Sequence, residues 1–317
     1  MLICPECGKS LREEPRLVCG NCGWLGEYLD GIPAYLSARD LADPVLKEYL
    51  KNYDQIAADD LVKSIQDERF LEYQALNLAD LVGSLEGLRV CDVGCGKGFL
   101  ARALLARRPA ELTVVDVATE YLQRLRHIDG IRAVVANAEN LPYRAAFDVI
   151  VATDIMEHVL NVGSFLYCLN RALRPGGKAY IRVPLQESLV GYSPFLGCPY
   201  RFVHLRSFDK GLLRTQLQAV GFDILGFYRD GFYLDIPRDI WRRGRIRAMI
   251  LRAFVRLVAR RLRDPMEITR WHHWAVGAFL RPVTISVTAR KVREVESPGN
   301  AQAGSQTLGV DSQTKVS

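Results

Sequence analysis

Short apolar runs alternate with longer amphipathic segments through the middle of the chain. The runs lie at 90–93, 112–115, 131–136, 146–152 and 178–183, and another follows at 284–290. Runs of this length predict buried strands, and most of the segments between them predict helices. Residues 38–86 also have helical apolar spacing, for example at Leu61, Ile65 and Leu71. The pattern therefore predicts an α/β fold with a helical segment before its first large strand.

A glycine-rich turn follows the first of these strands. Asp92 lies near the end of the strand, and Gly94, Gly96 and Gly98 lie between it and the next helix. Glycines at such a turn let a ligand approach the backbone closely, as a nucleotide-like cofactor requires. A dinucleotide site would need glycine or alanine where Phe99 stands, so the spacing favours another nucleotide-like cofactor.

Several further motifs follow in order. Asp116 ends the second strand about 20 residues after the turn, where Rossmann-like folds hold a ribose. Downstream are Asn-Ala-Glu-Asn-Leu-Pro-Tyr at 137–143, Phe-Asp at 147–148, Glu-His at 157–158 and Arg-Pro-Gly-Gly at 174–177. With the acidic-x-Gly-x-Gly-x-Gly turn, these motifs resemble those of class I S-adenosylmethionine-dependent methyltransferases. The resemblance runs from about Leu88 to Tyr228 and resumes near Thr284.

The resemblance implies a Rossmann-like, seven-stranded sheet with helices on both faces, and S-adenosylmethionine as the cofactor. In that family an acid usually stands at the position of Asn137 and accepts a hydrogen bond from the adenine amino group. Asparagine can still accept through its side-chain oxygen. The cofactor-binding residues that the resemblance implies are Asp92, Gly94, Cys95, Gly96, Gly98, Asp116, Val117, Asn137, Ala138 and Asp154. Helices before the first strand often cover the cofactor in this family, so Tyr53 and Phe70 either line the cleft or serve ordinary packing.

Three residues are candidates for a general base. Methyl transfer is an in-line displacement that mainly requires alignment, but a hydroxyl or acidic carbon acceptor must also lose a proton. Glu157 and His158 follow the fourth strand, at the sheet edge where open α/β folds bind ligands. His204 lies in a segment that resembles the acceptor-pocket region of these methyltransferases. For each histidine, a role in packing is the alternative.

Four of the eight cysteines form two Cys-x-x-Cys-Gly knuckles near the start of the chain. Their thiolates predict a closed tetrahedral zinc site with a structural role, and a redox function is disfavoured because there are two knuckles. With Asp-Gly-Ile-Pro at 30–33, the segment resembles the zinc-ribbon activator subunit of tRNA and protein methyltransferases. Its predicted role is to brace or solubilise the catalytic domain, or to help dock substrate. The ligands are Cys4, Cys7, Cys19 and Cys22.

The composition is that of a globular protein, with 49% apolar and 25% charged residues among 317. The sequence shows no signal segment and no apolar run that could span a bilayer, and its other cysteines do not suggest disulfides. We therefore predict a cytoplasmic protein. The predicted divisions are a zinc ribbon (1–36), a helical linker and cofactor lid (37–86), a methyltransferase domain (87–228 and 283–291), a basic helical insertion (229–282) and a disordered tail (292–317).

The insertion carries the chain's excess of positive charge. Residues 238–263 contain ten arginines and one acid. Because the net charge of the whole chain is only +6, the remaining residues together are slightly acidic. At helical spacing, apolar residues fall on one half and most arginines on the other, with Trp241, Trp271 and Trp274 within or beside the segment. This pattern predicts a helix that lies on the inner face of the membrane. Packing against the protein itself or a second subunit, and contact with RNA phosphates, are the alternatives.

These features favour methyl transfer to a small-molecule or lipid-linked acceptor, such as a glycan or isoprenoid intermediate. An RNA methyltransferase is the alternative enzyme. The alternative without activity is a zinc-ribbon adaptor with an inactive methyltransferase domain. Asn137, which stands where the family usually has an acid, is consistent with this alternative.

Overall fold

Strands and helices alternate through the middle of the chain, as the apolar pattern predicts. The computed structural model describes residues 1–13, 16–65, 68–230 and 284–295, with the single positions 249, 253 and 257. Apart from those positions, the predicted basic helix at 238–263 lies outside the described residues, as does the tail from 296.

The strands are β1 (Glu27–Leu29), β2 (Ile32–Ala34), β3 (Arg89–Val93), β4 (Glu111–Asp116), β5 (Ile131–Val135), β6 (Phe147–Thr153), β7 (Leu173–Pro184), β8 (Phe222–Asp230) and β9 (Thr284–Lys291). The α-helices are α1 (Ala38–Ala42), α2 (Pro44–Val62), α3 (Glu68–Val82), α4 (Phe99–Leu105), α5 (Thr119–Leu125), α6 (Val162–Ala172) and α7 (Lys210–Ala219). Short 3₁₀ helices lie at Ala138–Asn140, Leu189–Tyr192 and Pro194–Leu196.

One mixed sheet contains these strands in the order β1-β2-β5-β4-β3-β6-β7-β9-β8. The strands from β5 to β7 run parallel, while β9 pairs antiparallel with β7 and β8. The carboxyl ends of β3, β4 and β5 therefore meet at one edge of the sheet. That edge is where cofactors bind in open α/β folds.

The predicted number of seven strands is wrong: within the described residues the sheet has nine. The two additional strands, β1 and β2, form a hairpin in the zinc ribbon. β2 pairs in parallel with β5 through Ala34 and Val135. Without this hairpin, β5 would present unpaired backbone groups at the sheet edge, so the ribbon covers an otherwise open edge.

The ribbon is also joined to the larger domain by backbone contacts and by packing. The Ile3 amide donates to the Pro142 carbonyl at 2.9 Å, and the Arg144 amide donates to the Met1 carbonyl at 2.9 Å. Trp24 and Tyr35 of the ribbon are buried in the same apolar layer as residues of α6 and α7. Residues of α3, α4 and α5 form the layer on the opposite face. Helices therefore cover both faces of the sheet, as predicted.

The Arg-Pro-Gly-Gly segment at 174–177 lies within strand β7 and does not form a separate turn before it. α6 ends at Ala172, and β7 begins immediately at Leu173. The pairing with β6 shifts register, since Phe147 pairs with Leu173 but Val149 pairs with Lys178. The glycines therefore form a bulge inside a long strand. Among the helices that the structure describes, none is long and apolar enough to cross a membrane.

Candidate active site

The glycine turn after β3 has backbone conformations that favour glycine. Gly96 and Gly98 have φ angles of +48° and +76°. A Cβ added at Gly98 would lie 2.3 Å from Cδ2 of Leu125, whereas one added at Gly96 would meet no atom within 4 Å. Gly98 therefore lets the turn pack closely against α5, while Gly96 leaves the backbone open to a ligand.

Asp116 lies at the carboxyl end of β4, beside this turn. Its carboxylate accepts hydrogen bonds from the backbone amides of Gly96 at 2.9 Å and of Ala118 at 3.0 Å. Burial raises the pKa of the Asp116 carboxyl, and these backbone donors act in the opposite direction. The two contacts hold the carboxylate at the sheet edge, where it is suited to accept from ribose hydroxyls.

Asn137 follows β5 and caps the 3₁₀ helix Ala138–Asn140. Its Oδ1 accepts from the Glu139 amide at 2.9 Å, and its Nδ2 donates to Oδ1 of Asp40 at 2.7 Å. The side chain is thus held on both sides by the protein. The turn, Asp116 and Asn137 follow one another across three adjacent strands.

These residues surround one cavity of about 670 Å³. Its wall contains nine of the ten residues predicted to bind cofactor: Gly94, Cys95, Gly96, Gly98, Asp116, Val117, Asn137, Ala138 and Asp154. The tenth, Asp92, is 1% exposed and lies behind the wall. Burial, and secondarily Asp116, raises the pKa of Asp92 to about 7. A cavity of this size is sufficient for a nucleoside cofactor together with part of an acceptor.

Helix α2 covers one side of the cavity. The Asn52 amide nitrogen donates to the Phe202 carbonyl at 2.8 Å. Near the carboxyl end of α2, Asp60 lies 3.2 Å from Nζ of Lys97 and accepts from the Tyr121 hydroxyl at 3.0 Å. Tyr53 lines the cavity. The side chain of Phe70 lies outside the described part of the chain.

Two of the three candidate bases, His158 and His204, line the cavity, and Glu157 does not. His158 places Nδ1 3.0 Å from the Val203 carbonyl. Because a carbonyl only accepts, Nδ1 carries the hydrogen and Nε2 is left as an acceptor. Burial, and secondarily His204, lowers the pKa of His158 to about 3. The imidazole is therefore neutral near pH 7.

Glu157 is fully buried, with Oε1 3.8 Å from Nε2 of His158. Burial raises the pKa of the Glu157 carboxyl well above its usual range. Since burial also disfavours charge on His158, an ion pair between them is not favoured at neutral pH. Ligand atoms of Glu157, His158 and His204 lie within 4.8 Å of one another, close enough for one metal ion.

His204 has a different environment, because a carboxylate supports its ring. Nδ1 contacts Oε2 of Glu187, and the Tyr192 hydroxyl donates to Oε1 of the same carboxylate at 2.6 Å. The Tyr192 ring stacks on His204 with centroids 4.2 Å apart, and the His158 ring is perpendicular at 4.6 Å. A histidine with a carboxylate at Nδ1 can accept a proton at Nε2 while the carboxylate stabilises the resulting charge.

Sequence reasoning missed three residues near this site. Arg182 of β7 lines the cavity beside Asp154, with Nε 3.1 Å from Oδ2 of that residue. A charged residue within the apolar run 179–183 was a signal that could have identified it. Glu187 and Tyr192 lie in the segment after β7, where the sequence pattern has no comparable signal.

The four predicted zinc ligands come together in the ribbon. The sulfur atoms of Cys4 and Cys22 are 3.7 Å apart, those of Cys7 and Cys19 are 3.6 Å apart, and all four lie within 4.8 Å of one another. Tetrahedral zinc with bonds of about 2.3 Å places its sulfurs about 3.8 Å apart. The cluster therefore fits a zinc ion held by four thiolates. Four protein ligands leave no open coordination position, which fits a structural role.

The comparison with known families agrees with this geometry. The sequence pattern described as "Methyltransferase domain" matches residues 61–226, just over half of the chain. The chain belongs to this methyltransferase family. A chain of the complex between the Haloferax volcanii Trm112 methyltransferase activator and a putative methyltransferase has a similar fold. Its TM-score is 0.54 at 18% identity, over 76% of this chain and 98% of that one. The predicted class I methyltransferase fold is confirmed.

Curated relatives of the methyltransferase include enzymes named for two biosynthetic pathways. The ubiquinone biosynthesis O-methyltransferase of Methylocella silvestris is 40% identical over 173 residues, which are 50% of this chain and 66% of that protein. The biotin biosynthesis bifunctional protein BioHC of Cellvibrio japonicus is 31% identical over 46% of this chain and 30% of its own. The methyltransferase thus spans less than two thirds of the length of either relative.

Proposed function

We propose that this methyltransferase binds S-adenosylmethionine and transfers its methyl group to the oxygen of a small molecule. The observation that carries the proposal is that the glycine turn, Asp116, Asn137 and the two histidines surround one cavity. Asp116 would hold the ribose, and the open backbone at Gly96 would accommodate the close approach of the cofactor. When bound, S-adenosylmethionine supplies an activated methyl group on a sulfonium centre.

The acceptor would lie beside His158 and His204. The relatives named O-methyltransferases support an oxygen acceptor. As the new carbon–oxygen bond forms and the carbon–sulfur bond breaks, the hydroxyl proton would pass to Nε2 of His204. Glu187 stabilises the resulting imidazolium through Nδ1. Neutral His158 donates to the Val203 carbonyl through Nδ1, so its Nε2 can accept a hydrogen bond and orient the acceptor.

An amphiphilic or lipid-linked acceptor is the finer part of the proposal. The segment at 189–196 presents Val190, Phe195 and Leu196 to solvent, and Phe195 is 98% exposed. Leu196 also lines the cavity, so this apolar surface adjoins the entrance. An acceptor with an apolar tail could contact it while its hydroxyl reaches His204. Membrane contact through 238–263 remains part of this proposal.

The first experiment is calorimetric titration of the protein with S-adenosylmethionine and S-adenosylhomocysteine. We expect saturable binding that Asp116→Asn weakens without unfolding the protein. Absence of binding at millimolar ligand would refute the proposal and favour the adaptor with an inactive domain. Asp148→Asn is a matched control, because this carboxylate pairs with Arg174 outside the cavity.

Transfer of radiolabelled methyl groups to phenols, lipid-linked sugars and tRNA would then identify the acceptor class. Labelling of tRNA alone would contradict the proposed small-molecule acceptor. Flotation on anionic liposomes, beside a variant that lacks 238–263, tests the membrane contact. If neither protein floats, that contact is wrong.

A further inference from the structure

A carboxylate from outside the methyltransferase motifs contacts the proposed cofactor cavity through Asn137. Asp40 lies in the short helix α1, which connects the zinc ribbon to α2. It is 3% exposed, and its Oδ1 accepts from Nδ2 of Asn137 at 2.7 Å. Its Oδ2 accepts from the amide of Ser37 at 2.8 Å and from the hydroxyl of Ser37 at 2.7 Å. Asp40 therefore connects Asn137 to the segment that leaves the ribbon.

These contacts determine which way the Asn137 amide faces. An ionised carboxylate only accepts hydrogen bonds, so Asp40 requires the NH₂ group of Asn137 on its side. The backbone amide of Glu139 only donates, so it requires the oxygen on the other side. An asparagine can otherwise turn its amide over at little cost. Here its two neighbours specify one orientation.

The order of the strands suggests what this orientation recognises. The glycine turn follows β3, Asp116 ends β4 and Asn137 follows β5, so they lie in sequence along one edge. A nucleoside whose ribose contacted Asp116 would have Asn137 within reach of its base, because both residues line the same cavity. A carbonyl oxygen has two lone pairs, and the Glu139 amide uses one. The second is suited to accept from the 6-amino group of an adenine.

We propose that Asp40 is a positioning residue that orients the Asn137 amide and thereby makes the cavity select a 6-amino purine over a 6-oxo purine. The inference rests on the proposed function, because it requires that the cavity binds the adenosyl cofactor. Asp40 acts through Asn137 and is not part of the cavity wall. The segment after the ribbon thus contributes to the specificity of the cofactor site.

The decisive variant is Asp40→Asn, which changes one atom of the side chain. The new carbonyl can retain both contacts with Ser37, so the start of α1 stays capped. The new NH₂ group then faces the NH₂ group of Asn137. If Asn137 keeps its orientation, two donors oppose each other; if it turns over, it presents a donor to the purine. Retention leaves the acceptor towards the purine and the preference unchanged, whereas turning over weakens binding of the 6-amino purine and favours the 6-oxo purine. Because opposed donors disfavour retention, we expect the amide to turn over.

Calorimetry with S-adenosylhomocysteine and S-inosylhomocysteine measures this selectivity directly. We expect the wild-type protein to bind the adenosyl ligand about tenfold or more tightly than the inosyl ligand. This ratio corresponds to the net contribution of one hydrogen bond. Asp40→Asn should lose most of this preference. Asp43→Asn is the matched control: its carboxylate caps α2 through Val45 and Leu46, so the preference should remain. Melting temperature and zinc content are measured for each variant.

Exchanging the residue types at positions 40 and 137 provides a rescue experiment. Asn137→Asp alone places two carboxylates within the 2.7 Å contact and should weaken binding of both ligands. The double variant Asp40→Asn/Asn137→Asp restores a donor facing a carboxylate and leaves an acceptor for the adenine amino group. It should recover the adenosyl preference, which a merely structural role for Asp40 does not explain.

Unchanged selectivity in folded, zinc-loaded Asp40→Asn would overturn the inference. If that variant does not fold, unchanged binding by Asn137→Asp would overturn it independently. Failure of the wild-type protein to bind either ligand would instead refute the proposed function, on which the inference depends. The two failures are therefore distinguishable.

Discussion

Alanine substitutions at Gly98 and Gly96 separate the packing role of the glycine turn from its proposed role in binding. Both glycines have positive φ, so alanine costs about 1–2 kcal/mol of backbone strain at either position. At Gly98 the new Cβ would also lie 2.3 Å from Leu125, and overpacking of this kind costs about 1–3 kcal/mol. Gly98→Ala should therefore lower the free energy of unfolding by about 2–5 kcal/mol. Gly96→Ala should lower it by the strain alone.

Gly96→Ala should affect ligand binding more than it affects stability. The Cβ of Gly96→Ala has no protein atom within 4 Å and would occupy the space that the cofactor approaches. Its Kd for S-adenosylhomocysteine should rise at least tenfold, although the protein remains more stable than Gly98→Ala. Urea unfolding without ligand measures the first quantity, and isothermal calorimetry measures the second.

The result that would refute this reasoning is an equal loss of stability in the two variants. It would mean that contact with Leu125 does not determine the cost at Gly98. A double-mutant cycle of Gly98→Ala with Leu125→Ala is a further check. Because the two side chains would compete for the same space, the cost of the double variant should be smaller than the sum of the single costs.

Three further predictions concern the zinc site and the histidines. Serine at both Cys4 and Cys7 should abolish stoichiometric zinc and lower the melting temperature by more than about 5 °C, measured by metal analysis and calorimetry. Between pH 6.5 and 5, the unfolded chain protonates His158 while the folded protein, with a pKa of about 3, does not. Stability should therefore fall by about 2 kcal/mol from this residue as the pH decreases, and His158→Asn should remove that component from urea unfolding curves. Glu187→Gln should lower kcat about tenfold or more while the Kd for S-adenosylmethionine stays unchanged, because it removes the carboxylate at His204; unchanged kcat would contradict the proposed role of the pair.

The features that could be predicted from sequence are those encoded in short, contiguous patterns. The glycine turn and Asp116 follow from strand ends and spacing, and the cysteine knuckles identify their own ligand set. The family resemblance identified Asn137 and Asp154, which line the same cavity as the glycine turn. Such signals are local because a strand end or a metal knuckle forms from neighbouring residues.

The features that could not be predicted depend on contacts between distant segments. Asp40 and Asn137 are far apart in sequence, and neither residue type alone indicates that they meet. The pairing of β2 with β5 involves Ala34 and Val135, with no alternation long enough to predict it. The bulge at 174–177 likewise arises because β6 and β7 resume pairing after a register shift. Tertiary geometry determines each of these.

The covalent connection of the zinc ribbon to the methyltransferase domain has a consequence for assembly. A segment tethered to its docking site binds it intramolecularly, at an effective concentration that does not depend on the protein concentration. The pairing of Ala34 with Val135 and a few backbone hydrogen bonds can therefore keep the ribbon docked, although such contacts would be weak between separate chains. Ribbon docking is first order in protein, so it should be insensitive to dilution. The stoichiometry of one ribbon to one catalytic domain is set when the chain is synthesised.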